Sequence, residues 1–293
     1  MPTIAVIGAS GQLGQQFVFM SQFYPMLDFL FFDSTEVDIT QPAELAATLD
    51  EYDINFVVNC AAYTLVDKAE EEQEKAYLIN ASGAGYLAAY CRKEEIILLH
   101  FSSDYVYHNE LNRPLTESDP VSPKGVYAQS KLAGEQQIVD AWDKYLIFRT
   151  SWLYSPDGNN FLKSIIRAAK EKDELRVVYD QIGAPTYARD LASKSLRIIN
   201  GISEGDFSIE DVAGVYNVAN AGVTSWYDFT IAILQRAKIT CPVKPILSHE
   251  YITAASRPHY SVLDQSKFNT VFGFPLAHWT KGLDKCIKAM NEG

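Results

Sequence analysis

Tyr127 and Lys131 are four residues apart in a stretch whose composition favours a helix. Positions i and i+4 share one face of a helix, so the lysine ammonium would lie beside the tyrosine phenol. A phenol has a pKa of about 10 in water, and a neighbouring positive charge favours phenolate and lowers that pKa. The spacing predicts a tyrosine that exchanges a proton with a substrate oxygen. Two unrelated surface residues are the alternative for the pair taken alone.

Ser103 is a third residue that could take part in this chemistry. Residues 96–101 form an apolar run that ends at Ser102-Ser103-Asp104-Tyr105. Ligands of open α/β sheets bind beyond the carboxyl ends of the strands, so a hydroxyl here can hydrogen-bond a substrate carbonyl or hydroxyl. A serine that only caps the following turn is the alternative.

A glycine-rich turn follows the first apolar run of the chain. Three glycines at three-residue spacing separate this run, residues 3–7, from a helical stretch. A helix N-terminus offers unpaired N–H groups and partial positive charge to a pyrophosphate, which predicts a dinucleotide site. A tight strand–helix connection is the alternative. We expect cofactor contacts from Gly8, Ser10, Gly11, Gln12, Leu13 and Gly14, with Tyr127 and Lys131 at a nicotinamide ribose.

Asp33 closes the second apolar run, about 20 residues after the glycines, where an acid can accept hydrogen bonds from the adenosine ribose. This position favours NAD, and an ordinary loop aspartate is the alternative. Asp38 and Ile39 follow, and a carboxylate with an apolar neighbour could hold the adenine ring. These residues leave the choice between NADH and NADPH open.

Short apolar runs alternate with helical stretches through the first half of the chain. Such alternation produces right-handed crossover units, which build an open parallel sheet. We predict an α/β fold with a Rossmann-type doubly wound parallel sheet and a second, smaller substrate-binding α/β region. A dinucleotide-binding domain is expected at 1–150 and a mainly substrate-binding domain at 151–293, with some segments returning to the first sheet. The predicted strands are 3–7, 29–33, 55–59, 96–101 and 145–150. The predicted helices are 15–23, 42–49 and 130–142, and residues 69–92 are expected to be mostly helical.

The chain has 37 Asp and Glu residues against 25 Lys and Arg, a formal net charge of −12. Nucleic-acid scaffolds and binders of anionic membranes depend on clustered basic residues, so we expect neither partner. No run approaches the ~20 apolar residues of a membrane span, and the basic start of a signal peptide is absent. Cys60, Cys91, Cys241 and Cys286 lack metal or disulfide spacing, which favours the cytoplasm. The acidic run at residues 70–74 fits a solvated helix start.

Several sequence blocks closely resemble the dTDP-4-dehydrorhamnose reductase family of extended short-chain dehydrogenases. The resemblance runs nearly end to end, and the Val-Asp-Lys-Ala-Glu, Thr-Ser-Trp and Gly-Ala-Pro-Thr segments separate this family from other extended members. The blocks are residues 8–14, 59–70, 102–107, 127–135, 148–154, 158–161, 180–186 and 256–258.

The resemblance implies reduction of the 4-keto group of a dTDP-4-dehydro-6-deoxy sugar to dTDP-L-rhamnose by NADPH or NADH. Tyr127 would be the general acid, Lys131 its electrostatic partner and ribose ligand, and Ser103 the residue that orients the carbonyl. Many family members have threonine in place of Ser103, which supplies the same hydroxyl. Asp104 and Trp152 would face the sugar, where an indole can cover its C–H groups, and Arg257 would meet the diphosphate. The cofactor would also be lined by Ala61, Ala62, Tyr63 and Thr64.

One departure from the family concerns a metal. Some members form magnesium-bridged dimers through glutamates at positions that here are Gln16 and Arg189. An arginine repels a cation, so we predict no metal site, and either a homodimer or a monomer.

Core packing is the alternative role for Trp152.

Two other functions remain as alternatives. A non-catalytic relative of the fold associates with methionine adenosyltransferase in animals, so a nucleotide-binding regulatory subunit is one. Sugar-nucleotide epimerisation or dehydration is the other, although dehydration usually needs a glutamate next to Asp104, and Tyr105 stands there.

Overall fold

Short apolar segments form the strands of this chain, because β-branched and aromatic side chains suit a pleated, buried surface. The structure is a computed structural model that describes residues 1–292. The strands are β1 Thr3–Ile7, β2 Asp28–Phe32, β3 Phe56–Asn59, β4 Ile97–Ser103, β5 Tyr145–Thr150, β6 Leu153–Tyr154, β7 Leu175–Val178, β8 Ile182–Gly183, β9 Thr186–Tyr187, β10 Gly214–Asn217, β11 Thr224–Ser225 and β12 Val243–Ile246. The α-helices are α1 Gly14–Ser21, α2 Pro42–Leu49, α3 Val66–Ala69, α4 Gln73–Tyr77, α5 Ala84–Lys93, α6 Val126–Ala141, α7 Phe161–Glu171, α8 Ala188–Glu204, α9 Ile209–Val212, α10 Trp226–Ala237, α11 Ser266–Phe272 and α12 Trp279–Glu292.

The central sheet has the strand order β10-β5-β4-β3-β1-β2, and every pairing in it is parallel. One hydrophobic cluster packs α1 and α8 on one face, and a second packs α2 and α5 on the other. Strands covered on both faces are apolar throughout. The strand order reverses at β1 and β3, which opens a crevice beyond their carboxyl ends. The predicted Rossmann-type doubly wound sheet is confirmed.

The prediction that residues 69–92 are mostly helical is confirmed, and the stretch is divided into the end of α3, α4, a π-helical segment Leu78–Gly83 and α5. Asn80 in the π-helical segment explains part of the interruption. Its side chain accepts from the Tyr63 backbone N–H at 2.9 Å and donates to the Tyr63 carbonyl at 3.1 Å. These two hydrogen bonds connect the π-helical segment to the backbone of the loop that contains Tyr63.

Helix α6 begins at Val126, four residues earlier than predicted, so that Tyr127 and Lys131 lie on the same helix. Glu70 explains the early start, since its Oε1 accepts from the Val126 backbone N–H at 2.8 Å. A carboxylate is favoured at a helix N-terminus. The acidic run is therefore more than a solvated helix start, because Glu70 caps a helix 56 residues away.

The second half of the chain supplies β10 to the edge of the central sheet, beside β5. Its other elements include β7 paired in parallel with β12, and a cluster in which Tyr154, Leu162, Phe229 and Leu283 are buried together. None of the helices in residues 1–292 combines the length and the apolar character that crossing a membrane requires.

Candidate active site

A cavity of about 440 Å³ lies beyond the carboxyl ends of β3, β4 and β5. Three of its buried polar atoms, Gln12 Oε1, Asp104 Oδ2 and Thr150 Oγ1, have no hydrogen-bond partner among the described residues. Buried polar atoms without partners are costly, so the cavity suits a polar ligand. The residues proposed from sequence that line it are Gly11, Gln12, Leu13, Ala61, Ala62, Thr64, Ser103, Asp104, Tyr127, Lys131 and Trp152.

The glycine turn brings backbone to the floor of the cavity. Gly8 has a φ of +79°, and its N–H donates to the Phe32 carbonyl at 2.8 Å. A Cβ at Gly14 would lie 2.3 Å from the Gly8 carbonyl oxygen. Only glycine fits this close approach at the start of α1, and the resulting bare helix N-terminus suits a diphosphate.

Gly8, Ser10 and Gly14 of the glycine turn do not themselves line the cavity, and neither do the proposed cofactor residues Asp33, Asp38 and Ile39. Asp33 follows Phe32 and therefore lies beside the glycine turn, where its Oδ1 accepts from the Thr35 hydroxyl at 2.6 Å. This hydrogen bond holds the pKa of Asp33 below its ordinary value. Asp38 likewise accepts from the Thr40 backbone N–H at 2.9 Å, and Ile39 is buried.

The loop after β3 presents three of the four residues from 61 to 64 to the cavity. Ala61, Ala62 and Thr64 line it, whereas Tyr63 does not. The Tyr63 side chain is buried, and its hydroxyl donates to Glu72 Oε2 at 3.0 Å. Tyr63 thus fixes the loop, and its neighbours form the cavity wall.

Ser103 both caps a turn and lines the cavity. Its Oγ accepts from the Tyr105 backbone N–H at 3.2 Å and donates to Asp104 Oδ1 at 3.0 Å. Burial raises the pKa of the Asp104 carboxyl to about 7, against the lowering effect of hydroxyl groups that include Ser103. The two interpretations of Ser103 are therefore compatible.

Tyr127 and Lys131 both line the cavity, on the face of α6 that meets β4. Burial raises the pKa of Tyr127 to about 12, and proximity to the Ser103 hydroxyl acts in the opposite direction. The expected lowering of this pKa by Lys131 is wrong for this structure, because desolvation outweighs the Ser103 hydrogen bond and the Asp104 carboxyl raises the pKa further. Burial also lowers the pKa of Lys131 to about 8, and its Nζ donates to the Phe101 carbonyl at 2.6 Å. The phenol therefore remains protonated at neutral pH.

Trp152 and Trp226 form an aromatic wall of the cavity. Their rings stack with centroids 3.5 Å apart and planes at 7°. The Trp152 backbone has a φ of +47°, an unusual conformation for a large residue that often marks a functional position. Sequence reasoning missed Trp226, whose only local signal is its place at the start of a helix capped by Ser225.

Arg257 does not line the cavity. Its guanidinium makes two hydrogen bonds to Asp67, at 3.0 Å and 2.7 Å. Hydrogen bonding from Arg257 is the main reason that the pKa of Asp67 lies below its ordinary value. The pair joins residues 190 positions apart, and sequence reasoning did not foresee Asp67.

Gln16 and Arg189, the two residues at which the sequence argues against a metal site, contact each other. Arg189 Nε donates to Gln16 Oε1 at 3.0 Å, and Gln16 Nε2 donates to Asp157 Oδ2 at 2.7 Å. The Arg189 guanidinium also lies 3.5 Å from the centre of the Phe19 ring. In the described part of the chain, no group of three or more His, Cys, Asp or Glu side chains is arranged to hold a metal ion.

Comparison with known proteins extends over the whole chain. A family model described as the RmlD substrate binding domain matches residues 2–292. The sequence is 37% identical over 299 residues to the dTDP-4-dehydrorhamnose reductase of Aggregatibacter actinomycetemcomitans, covering 100% of both chains. It is 36% identical to the dTDP-4-dehydrorhamnose reductase of Escherichia coli K12, covering 98% of this chain and 97% of that one.

A solved structure agrees with these sequence matches. The crystal structure of the dTDP-4-dehydrorhamnose reductase of Bacillus anthracis, in complex with NADP, superposes with a TM-score of 0.92. The two sequences are 35% identical, and the match covers 99% of this chain and 100% of that one.

Proposed function

The chain belongs to the RmlD substrate binding domain family, and we propose that it reduces the 4-keto group of dTDP-4-dehydrorhamnose, with NADPH or NADH, to dTDP-L-rhamnose. One observation carries this proposal: Ser103, Tyr127 and Lys131 line the same cavity as the glycine turn and Trp152. The proposed cofactor-binding domain is residues 1–150, and residues 151–293 mainly bind the sugar nucleotide. We place the reaction in the cytoplasm, because all four cysteines are free thiols.

The bound nicotinamide supplies a hydride to C4 of the sugar. The Ser103 hydroxyl orients the C4 carbonyl, and Tyr127 donates its phenolic proton to the oxygen as negative charge develops there. The Lys131 ammonium stabilises that charge in a cavity that excludes most water. Because the pKa of Tyr127 is about 12, the phenol carries its proton at the start of each reduction.

The same cavity offers groups for the rest of the ligands. The Trp152 ring can cover the apolar face of a deoxysugar, and Asp104 can hydrogen-bond its hydroxyls. Asp33, Asp38 and Ile39 are proposed to contact the adenosine end of the cofactor, outside the cavity. Arg257 is proposed to contact the substrate diphosphate, with Asp67 holding its guanidinium ready.

An assay of the purified protein tests the function directly. With dTDP-4-dehydrorhamnose and either NADPH or NADH, the absorbance of the reduced nicotinamide should fall as dTDP-rhamnose forms. dTDP-glucose, which has no C4 ketone, is the control and should leave the cofactor unoxidised. No oxidation with either cofactor would favour the regulatory subunit, and conversion without net oxidation would favour epimerisation.

The rate of reduction should fall above about pH 8. Reduction needs the Lys131 ammonium, and its pKa of about 8 means that the charge is lost as the pH rises through that value. Tyr127 stays protonated over the same pH range, so loss of the phenol proton does not cause this decrease in rate. A pH profile of kcat that stays flat to pH 10 would contradict this assignment.

Two glycine substitutions should separate substrate binding from cofactor binding. A Cβ at Gly183 would lie 2.5 Å from the Trp152 ring, so Gly183→Ala should displace the indole and raise the KM for the sugar nucleotide about tenfold. Cofactor affinity should be unchanged in that variant. Gly14→Ala should do the opposite, because its Cβ clashes within the glycine turn. Steady-state kinetics and fluorescence titration with NADPH measure both effects, and equal effects on both ligands would refute the assignment.

A further inference from the structure

Three buried polar side chains form a row at the cavity wall, in which His100 lies between the lining residues Asn59 and Lys131. Asn59 ends β3, and His100 is its partner across the β3–β4 pairing. Asn59 Nδ2 lies 3.0 Å from His100 Nδ1, and His100 Nε2 lies 3.3 Å from Lys131 Nζ. Asn59 and His100 are each 1% exposed and Lys131 is 2% exposed. The proposed mechanism gives no role to Asn59 or His100.

The backbone fixes the orientation of the Asn59 amide. Its Oδ1 accepts from the Ala61 N–H at 3.0 Å. If the amide were flipped, its NH₂ group would face the Ala61 N–H, and two donors would meet. The NH₂ group must therefore face His100. Asn59 therefore donates to Nδ1 of the imidazole.

This hydrogen bond selects one tautomer of His100. An Nδ1 that accepts a hydrogen bond carries no proton, so the single proton of the neutral ring is on Nε2. The ring is neutral because burial, with help from the Lys131 charge, lowers the pKa of His100 well below its ordinary value. The Nε2–H group thus points toward Lys131.

A donor on this side of Lys131 disfavours its ammonium form. An ammonium has only donors, whereas a neutral amine can accept the Nε2–H hydrogen bond. Glu135, one turn further along α6, acts in the opposite direction, but its carboxylate is bound by Arg149. The other titratable groups of the cavity wall are Cys60 after β3, Asp104 and Tyr105 after β4, and Tyr127 on α6.

We propose that His100, in the tautomer set by Asn59, is a positioning residue that makes the Lys131 proton available for restoring Tyr127. This inference rests on the proposed reductase function. After Tyr127 gives its proton to the sugar alkoxide, a proton from Lys131 converts the phenolate back to phenol. The neutral amine that remains accepts the Nε2–H hydrogen bond of His100, and it is then reprotonated from solvent. The balance is one hydride and one solvent proton consumed per alcohol formed.

The first test determines the tautomer of His100 and does not require catalytic turnover. Long-range ¹⁵N NMR of the full-length protein distinguishes a protonated from an unprotonated ring nitrogen, and loss of one signal in His100→Gln assigns this ring among the five histidines of the chain. We expect a protonated Nε2 and an unprotonated Nδ1. An Nδ1–H tautomer, or an imidazolium at neutral pH, would overturn the inference even if the protein is an active reductase.

The second test reverses the tautomer with Asn59→Asp. A carboxylate accepts from Nδ1–H, so Nε2 becomes an acceptor and the Lys131 ammonium gains a partner. The Lys131 pKa, followed by ¹³C NMR of the lysine Cε, should rise by about one unit or more. The alkaline limb of kcat should move upward with it. A reversed tautomer with an unmoved lysine pKa would contradict the proposal.

His100→Phe supplies a variant of similar shape in case Asn59→Asp does not fold. Without the Nε2–H donor, kcat should fall about tenfold while the affinity for NADPH is retained. The matched control is His108→Phe, because His108 is also buried and makes its contact with Ser256. Equal losses of kcat in the two variants would indicate a merely structural role. An unaltered protein that oxidises no cofactor would refute the reductase function and leave the tautomer measurement unaffected.

Discussion

Tyr127→Phe should lose most of its turnover, by about 10²–10⁴-fold, while its affinity for NADPH stays close to that of the unaltered protein. The substitution removes only the hydroxyl that donates a proton to the sugar oxygen. The ring should keep its place, since it packs edge-on against Tyr105 with centroids 5.6 Å apart. Steady-state assays give the loss of kcat, and fluorescence titration gives the cofactor affinity.

Tyr90→Phe is a suitable control for this experiment. The Tyr90 hydroxyl also makes a defined contact, a 3.0 Å hydrogen bond to Asp50, but it lies away from the cavity. Its loss should leave kcat nearly unchanged. Turnover of Tyr127→Phe within a few-fold of the unaltered protein would remove Tyr127 from the role of acid. Loss of NADPH binding would instead indicate that the variant has lost its structure.

The sequence was informative where a short segment determines its own structure. The strand at residues 145–150 was predicted to the residue, because its apolar run is bounded by charge on one side and Ser-Trp on the other. The sequence also predicts correctly that Ser103 and the Tyr127–Lys131 pair lie at one cavity, and the reason is general. Parallel strands end at the same edge, and the residues that follow them meet there.

Residues whose roles depend on distant partners could not be predicted in this way. In the sequence, His100 is indistinguishable from an ordinary strand residue. Its role depends on Asn59, which the pairing of β3 with β4 places beside it, and on its contact with Lys131. Trp226 and Glu70 are likewise defined by contacts with segments far along the chain. The raised pKa of Tyr127 was missed for a related reason, because burial depends on the whole fold and the i+4 spacing does not report it.

Arg149→Met should destabilise the protein by about 3–5 kcal/mol, because it leaves the buried Glu135 carboxylate without its counter-ion. The Arg149 guanidinium donates to both Glu135 oxygens, at 3.0 Å and 3.1 Å from Nε and at 2.6 Å from Nη2. The two side chains are only 7% and 4% exposed. Arg149 Nη1 also donates to the Tyr107 hydroxyl at 2.8 Å, so a second buried group loses a partner. Urea unfolding of the variant measures the change in the free energy of unfolding.

Two further variants distinguish a lost counter-ion from a general packing defect. Arg149→Met combined with Glu135→Leu should recover much of the loss, since apolar replacement of a buried ion pair is often close to neutral. Arg113→Met is the exposed control, because the Arg113 side chain is 53% exposed, and breaking its contact with Asp119 should destabilise the protein far less than breaking the buried pair. Equal losses for Arg149→Met and Arg113→Met would contradict the argument.

Glu135 also lies one turn from Lys131, so its freed charge in Arg149→Met should raise the Lys131 pKa and move the alkaline limb of kcat upward.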